Sequence, residues 1–214
     1  MFMNKMAVLI FCCILILPGC GYPPLRDDTE LPTDYTYKIG PGDSIQIFVW
    51  GYPEVSTTAT VRPDGKITTP LIDDVEVMGR TPYQLAREME VILGEYVRDP
   101  QVAIIVGGFQ GVYEQQVRIL QTSSGIGGIG GGSGGGSGGK ALPYKKGMTL
   151  LDLMIQTGGI GIYSDGNRAS IIREVDGEQK QFGIRIDDLM NKGDLTANVK
   201  IMPGDILIIP ESFF

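Results

Sequence analysis

The sequence predicts an α+β protein built from two consecutive units, each mostly short strands with a helix laid over them. Two observations carry this. Short runs of β-branched and aromatic residues alternate with polar ones and are cut by Pro-Asp-Gly and Asp-Gly turns. Two stretches of helical spacing, opening at Thr81 and Thr149, start on a capping threonine. The chain has 214 residues and is 43% hydrophobic and 20% charged, enough for real cores and too apolar for global disorder.

Composition removes several classes of function. Lys+Arg is 18 against Asp+Glu 25, a net charge of -7, and such an acidic surface repels phosphate backbones, so no nucleic-acid partner is expected. Histidine is absent, which excludes Ser-His-Asp and Cys-His catalysis and most transition-metal sites. The three cysteines, Cys12, Cys13 and Cys20, all fall in the first 20 residues, so neither a thiolate metal site nor a disulfide framework is available to the folded body. No cofactor and no metal are expected. What remains is a binding, structural or transport role, or an enzyme that works with carboxylates alone.

Met6–Leu17 carries no charge, is almost continuously apolar, follows Lys5 and is stopped by Pro18-Gly19. A bilayer span needs about 20 such residues, so 1–19 reads as an export signal. Leu17-Pro18-Gly19-Cys20 resembles a bacterial lipobox, which implies acylation of Cys20 and loss of the leader. Gly21, in place of the aspartate that retains such proteins in the inner membrane, implies the outer membrane. Residues 20–36, with Pro23, Pro24 and Pro32 and no hydrophobic period, read as a flexible tether.

Residues 37–112 form the first unit. Ile45, Ile47 and Val49 alternate with Gln46, Phe48 and Trp50 in a strand. Thr58–Arg62 and Lys66–Pro70 flank Pro63-Asp64-Gly65 as a hairpin, because Pro presets one turn dihedral and Gly accepts a positive one. A short strand over Asp74–Val77 precedes a helix. There Thr81 is the N-cap, Pro82 the first helical residue and Gln84 the partner in a capping box. Leu85, Met89, Ile92, Leu93 and Tyr96 share one helical face, Asp99-Pro100 stops the helix, and Gln101–Val106 is a short buried strand.

Tyr37-Lys38-Ile39-Gly40-Pro41-Gly42-Asp43-Ser44-Ile45 is similar to the opening signature of outer-membrane polysaccharide export proteins, the Wza-like family. The resemblance continues in order through Val61–Ile67 with Pro63, Asp64 and Gly65, then Pro70-Leu71-Ile72, Gly79-Arg80-Thr81-Pro82 and Asp99-Pro100-Gln101-Val102. It implies a polysaccharide export domain over 37–112, with these residues in structural roles.

Residues 113–214 read as a second unit. Glu114–Leu120 is a strand, Thr149 caps a helix that ends at Gly158-Gly159, Ala169–Val175 and Glu178–Arg185 flank Asp176-Gly177 as a hairpin, and Ile206–Ile209 closes. Strand, helix, hairpin and closing strand is a β-grasp-like order. Met148–Asp152, Gly158-Gly159 and Asn167-Arg168 resemble the soluble-ligand-binding β-grasp (SLBB) domain that follows the export domain in this family. The ending Pro203–Ser212 resembles the subset associated with exosortase-type exopolysaccharide systems. A Pro-Gly-Asp turn precedes an apolar strand twice, at Asp43 and at Asp205, and both aspartates are expected to accept backbone N–H bonds.

Two features depart from the family. Residues 125–139 hold eleven glycines with no charge, a flexible coil spanning about 20 Å where the SLBB pattern has a short turn. The sequence also ends at Phe213-Phe214 without the C-terminal amphipathic helix that builds the pore in the best-known members, so a separate β-barrel is expected to complete the exit.

Three carboxylate pairs, Asp27-Asp28, Asp73-Asp74 and Asp187-Asp188, raise glycoside hydrolysis, which uses two carboxylates about 5–9.5 Å apart. Each pair sits in a tether, a loop edge or a helix start, and is expected to serve as solvated turn or cap residues, so no catalytic residue is assigned. Arg62, Arg168, Arg173 and Arg185 are candidate contacts to an acidic polymer. The resemblance implies a lipid-anchored subunit at the periplasmic face of the outer membrane that forms a homo-oligomeric ring and passes polysaccharide through it. Its implied partners are the polymer, an outer-membrane β-barrel and an inner-membrane polysaccharide co-polymerase. The other reading is a monomeric periplasmic carbohydrate-binding lipoprotein acting as an adaptor.

Overall fold

The structure, a computed structural model, describes residues 22–25, 35–121 and 138–212. The leader, Cys20, Asp27-Asp28 and residues 125–137 of the glycine tract lie outside them. β1 (Ser44–Val49) turns Ile45, Ile47 and Val49 inward, each at 1% exposure or less, and Gln46 and Phe48 outward. β2 (Thr57–Thr60) pairs antiparallel with β1. The Pro63-Asp64-Gly65 turn forms, with Gly65 at φ +80 and its amide donating to Arg62 O at 2.9 Å.

It does not, however, join two strands into the expected hairpin. β3 (Lys66–Ile67) pairs instead with β4 (Val75–Glu76). After the bond from Arg62 N to Lys66 O the strands part, because Val61 is already spent on the first Pro-Gly-Asp turn. Its amide donates to Asp43 O at 2.8 Å and its carbonyl accepts from Gly42 N at 2.9 Å.

α1 (Pro82–Leu93) opens on the expected capping box, Gln84 N donating to Thr81 Oγ1 at 3.2 Å and Thr81 N to Gln84 Oε1 at 3.0 Å. It buries Leu85, Ala86, Met89 and Leu93, the three larger side chains contributing about 1.5–3 kcal/mol each. Tyr96 is not on this face. The helix ends at Gly94, ahead of Asp99-Pro100, and Tyr96 lies beyond it, 55% exposed.

β5 (Val102–Gly107) pairs antiparallel with β1 along its whole length. Expected as a buried strand, it is a sheet edge. Val102, Ile104 and Val106 face the core, while Ala103 and Ile105 face solvent. The order β2-β1-β5 packs on α1 around one apolar cluster running from Ile39 to Val102.

A 3-10 turn at Tyr113–Gln115, where the strand was expected to start, leads into β6 (Gln116–Gln121). β7 (Gly138–Pro143) pairs antiparallel with β6 over six positions. Its sequence, Gly-Gly-Lys-Ala-Leu-Pro, has no strand pattern, and the last two glycines of the tract belong to it. α2 (Leu150–Thr157) carries a capping box between Thr149 and Asp152 and ends on left-handed Gly158.

β8 (Ser170–Val175) and β9 (Glu178–Gly183) form the expected hairpin, with Asp176 at φ +57 and Gly177 at φ +78, both central residues in the positive region that a two-residue turn requires. α3 (Ile186–Lys192) and β10 (Ile206–Ile209) follow. The sheet order is β7-β6-β10-β8-β9, with β10 parallel to β6 and antiparallel to β8. α2 and α3 cover one face of it, burying Leu150, Leu153, Met154, Ile186 and Leu189 against Val117, Ile119, Ile171, Leu207 and Ile209.

Part of the expected tether is docked. Gly183 N donates to Pro23 O at 2.9 Å and Leu25 N to Gly183 O at 3.1 Å, so residues 22–25 lie along β9. Leu25 and Tyr35 pack against the second core. An edge strand offers unpaired backbone groups to such a segment, and these residues use them. Among the described residues no helix is long and apolar enough to cross a membrane.

Candidate functional site

The first Pro-Gly-Asp turn is a junction as well as a turn. Asp43 is fully buried and its carboxylate meets four donors. Oδ2 accepts from Gly40 N at 2.9 Å and from the Tyr37 hydroxyl, and Oδ1 accepts from Gln110 N at 2.6 Å and Gly111 N at 3.2 Å. Asp43 thus closes its own turn and holds the segment that leaves the first unit. Gln115 adds a second tie, accepting from Lys38 N at 3.1 Å and donating to Thr36 O at 3.0 Å. Burial first, and then the bond to Asp43, push the Tyr37 phenol up from its ordinary value. Gly40 is at van der Waals limits here: a Cβ on it would lie 1.8 Å from Gly111 O. Pro41 and Gly42 precede Asp43 in the turn, Gly42 at φ +89.

The second Pro-Gly-Asp turn has a different partner. Asp205 Oδ2 accepts from Met202 N at 2.7 Å, and the carboxylate also takes both prongs of Arg173. Burial pushes the Asp205 carboxyl up, and the Arg173 guanidinium and the Met202 amide oppose it. Arg173, a candidate polymer contact, is therefore corrected to a core residue. Its side chain is 4% exposed, since it points to the same side of β8 as Ile171.

The other three arginines stay at the surface. Arg62 bridges Asp64 and Asp74 at 45% exposure, holding the Pro63 turn against the loop before β4. Arg185 reaches Asp188, Asp194 and Thr196. Arg168 is 53% exposed beside Asp165 at 3.8 Å. Arg62 pairs with carboxylates of the first unit, and Arg168 and Arg185 with carboxylates of the second. Asp187 and Asp188 are engaged by Asn167, Asn191, Arg185 and Lys192, as helix-start and ion-pair residues. Pro82 fills the first turn of α1, and Pro100 follows Asp99, which sits at φ +48.

A cavity of about 670 Å³ opens on the sheet of the second unit, lined by Tyr22, Arg168, Ser170, Gln181, Ile208 and Pro210 among others. Of these only Arg168 was a candidate from sequence. Tyr22 sits in a proline-rich stretch with no periodic signal. Ser170 and Gln181 become neighbours only through the pairing of β8 with β9.

Comparison with known proteins bears on the first unit most directly. Residues 31–107 match the family described as Polysaccharide biosynthesis/export protein. That span contains Tyr37, Pro41, Gly42, Asp43, Pro63, Asp64, Gly65, Pro82 and Pro100. The chain is also similar to the EPS I polysaccharide export outer membrane protein EpsA of Ralstonia solanacearum, 27% identical over 197 residues, covering 80% of this chain and 47% of the relative. The protein of the same name from Ralstonia nicotianae is 27% identical over 201 residues, covering 82% and 47%. The chain spans about half the length of these curated relatives.

Proposed function

We propose that this chain is a subunit of a polysaccharide export assembly, held by lipid on Cys20 at the periplasmic face of the outer membrane and working without chemistry of its own. The observation that carries the reading is the match over residues 31–107 to the polysaccharide biosynthesis/export family. Among the matched turn residues, Asp43 also fastens the first unit to the connecting segment at Gln110 and Gly111. Similarity to the two EpsA proteins over 80% and 82% of the chain supports including the second unit.

The strand order β7-β6-β10-β8-β9 places the last strand at the centre, parallel to the first, with a helix in the crossover from β7 to β8. That order supports an SLBB-type β-grasp, and the resemblance of Pro203–Ser212 supports membership of the exosortase-associated subset. Copies of the chain close head-to-tail into a ring, with the polymer passing through it. An outer-membrane β-barrel and an inner-membrane polysaccharide co-polymerase complete the route. Arg62, Arg168 and Arg185 keep guanidinium surface for the polymer.

Deleting the gene and restoring it as wild type or Cys20→Ser, with surface polymer and particle mass in detergent as readouts, tests this. Surface polymer should vanish on deletion, return with the wild type and not with Cys20→Ser, and the purified wild type should give one discrete oligomer. Unchanged surface polymer on deletion would overturn the export reading. A monomer that binds polymer would replace the ring by a carbohydrate-binding adaptor.

A further inference from the structure

The cavity on the second unit is placed by the register of the sheet. Ile208 pairs with Ser170 and Ser170 with Gly183, so the three stand side by side across β10, β8 and β9. The parallel bridge of Pro24 to Gly183 extends that row to the amino-terminal segment. Leu207 and Ile171, one residue along, face the core, so this row lies on the sheet face that α2 and α3 leave open. The 3-10 turn Gly166–Arg168 closes one end.

We propose that this cavity is a binding subsite for a short, uncharged saccharide segment, completed by Tyr22. The proposal rests on the export reading for the biological source of the ligand, and on the cavity alone for its chemistry. A pyranose ring offers an apolar C–H face and a girdle of hydroxyls. The cavity offers the matching pair. The Tyr22 ring, 54% exposed, supplies a flat apolar surface beside Ile208 and Pro210.

Polar groups supply the rest. Gln181 Nε2 donates to Ser170 Oγ at 2.8 Å, so the buried Ser170, 2% exposed, orients the amide, and Gln181 has its carbonyl oxygen to offer as an acceptor. Asn167 is a wall and no more, since its side chain exchanges bonds with Asp188. The volume falls within the about 300–1,000 Å³ of small-ligand sites.

Charge selects the neutral sugar. Arg168 shares its field with Asp165 at 3.8 Å, Asp187 and Asp188 behind Asn167 offset Arg185 and Lys192, and the chain carries -7 overall. A uronate would meet no net positive field here.

Gly183 makes Tyr22 part of the site. A Cβ there would lie 3.3 Å from Tyr22 O, so even a methyl crowds the segment and the branched side chain of valine crowds it further. The full chain in detergent would be titrated, by saturation-transfer NMR, with neutral tetrasaccharides of glucose, galactose, mannose and N-acetylglucosamine, and with tetragalacturonate. At least one neutral probe should bind, and tetragalacturonate should bind at least about tenfold more weakly. Tyr22→Ala and Gly183→Val should each weaken the neutral probe by at least about fivefold. Val91→Ala, on the exposed side of α1 in the first unit, should leave it unchanged.

If Gly183→Val does not fold, Tyr22→Ala decides. No neutral binding at millimolar concentration, preference for the uronate, or full binding by Tyr22→Ala would each overturn the subsite. Lost surface polymer on gene deletion without saccharide binding would overturn the subsite and leave export standing. Saccharide binding with unchanged surface polymer would uphold the subsite and overturn export.

Discussion

Arg173 and Asp205 close a bidentate ion pair inside the second unit, Nε to Oδ1 at 2.9 Å and Nη2 to Oδ2 at 2.7 Å, with side chains 4% and 2% exposed. Arg173 Nη2 also donates to Lys200 O at 2.8 Å, so one guanidinium ties β8 to both ends of the turn that feeds β10. The pair explains why a charged residue interrupts an apolar strand. Removing one partner strands a buried charge, so Arg173→Met should lower the unfolding free energy by about 3–5 kcal/mol in urea titrations. A loss of under about 1 kcal/mol is what a solvated pair would give, and would contradict that burial.

Asp43 makes a comparable commitment with backbone donors. Asn has one acceptor oxygen and turns an NH₂ toward amides that also donate. Asp43→Asn should therefore orphan Gly40 N in one orientation of the amide, or both Gln110 N and Gly111 N in the other, at about 1–3 kcal/mol per orphaned donor. Amide exchange checks it. Gly40, or Gln110 and Gly111 together, should lose protection while the α1 amides keep theirs. Equal loss throughout would show that the junction and the first unit unfold together.

Gly40→Ala tests the same junction by volume. The added methyl would sit 1.8 Å from Gly111 O and 2.6 Å from Val112 N, both backbone atoms that no rotamer change can move. The variant should lose more stability than Asp43→Asn and should become cleavable by protease within residues 107–113. Wild-type resistance there would mean that the segment can shift at little cost.

Local chemistry was legible from sequence and partner choice was not. Thr81, Pro82 and Gln84 specify a helix start within four residues, and Asp176-Gly177 specifies a hairpin within two, so both were expected and both are found. The Pro63 turn was equally local, yet whether its flanks pair is decided by Val61 bonding to Asp43 and Gly42, some twenty residues away. β7 has no pattern of its own and exists because β6 offers it an edge. Arg173 looked like a surface cation beside Glu174, and its partner is 32 residues on. The candidate cavity fails to announce itself for the same reason, since Tyr22, Ser170 and Gln181 meet only through β9.

The Tyr37–Asp43 bond predicts an alkaline limit to stability. The phenol has an ordinary value of 10.0, and burial, reinforced by the bond to the carboxylate, raises it in the folded chain. Above about pH 10 the unfolded chain therefore releases a proton that the folded chain retains. The unfolded state then binds fewer protons, and stability falls as pH rises. This contribution is whole below about pH 10 and is lost progressively above it. Burial also raises Tyr35 and Tyr144, so all three add to the wild-type slope. Comparison with Tyr37→Phe isolates one of them. At neutral pH that variant should be less stable by about 1–3 kcal/mol, because Asp43 loses its hydroxyl donor and keeps three amides. Between pH 9 and 11 its urea midpoint should fall less steeply than the wild type's, and tyrosinate absorbance in the folded wild type should show one more suppressed phenol than in the variant. Parallel pH curves for the two proteins would show that the Tyr37 hydroxyl titrates freely and is not held by Asp43.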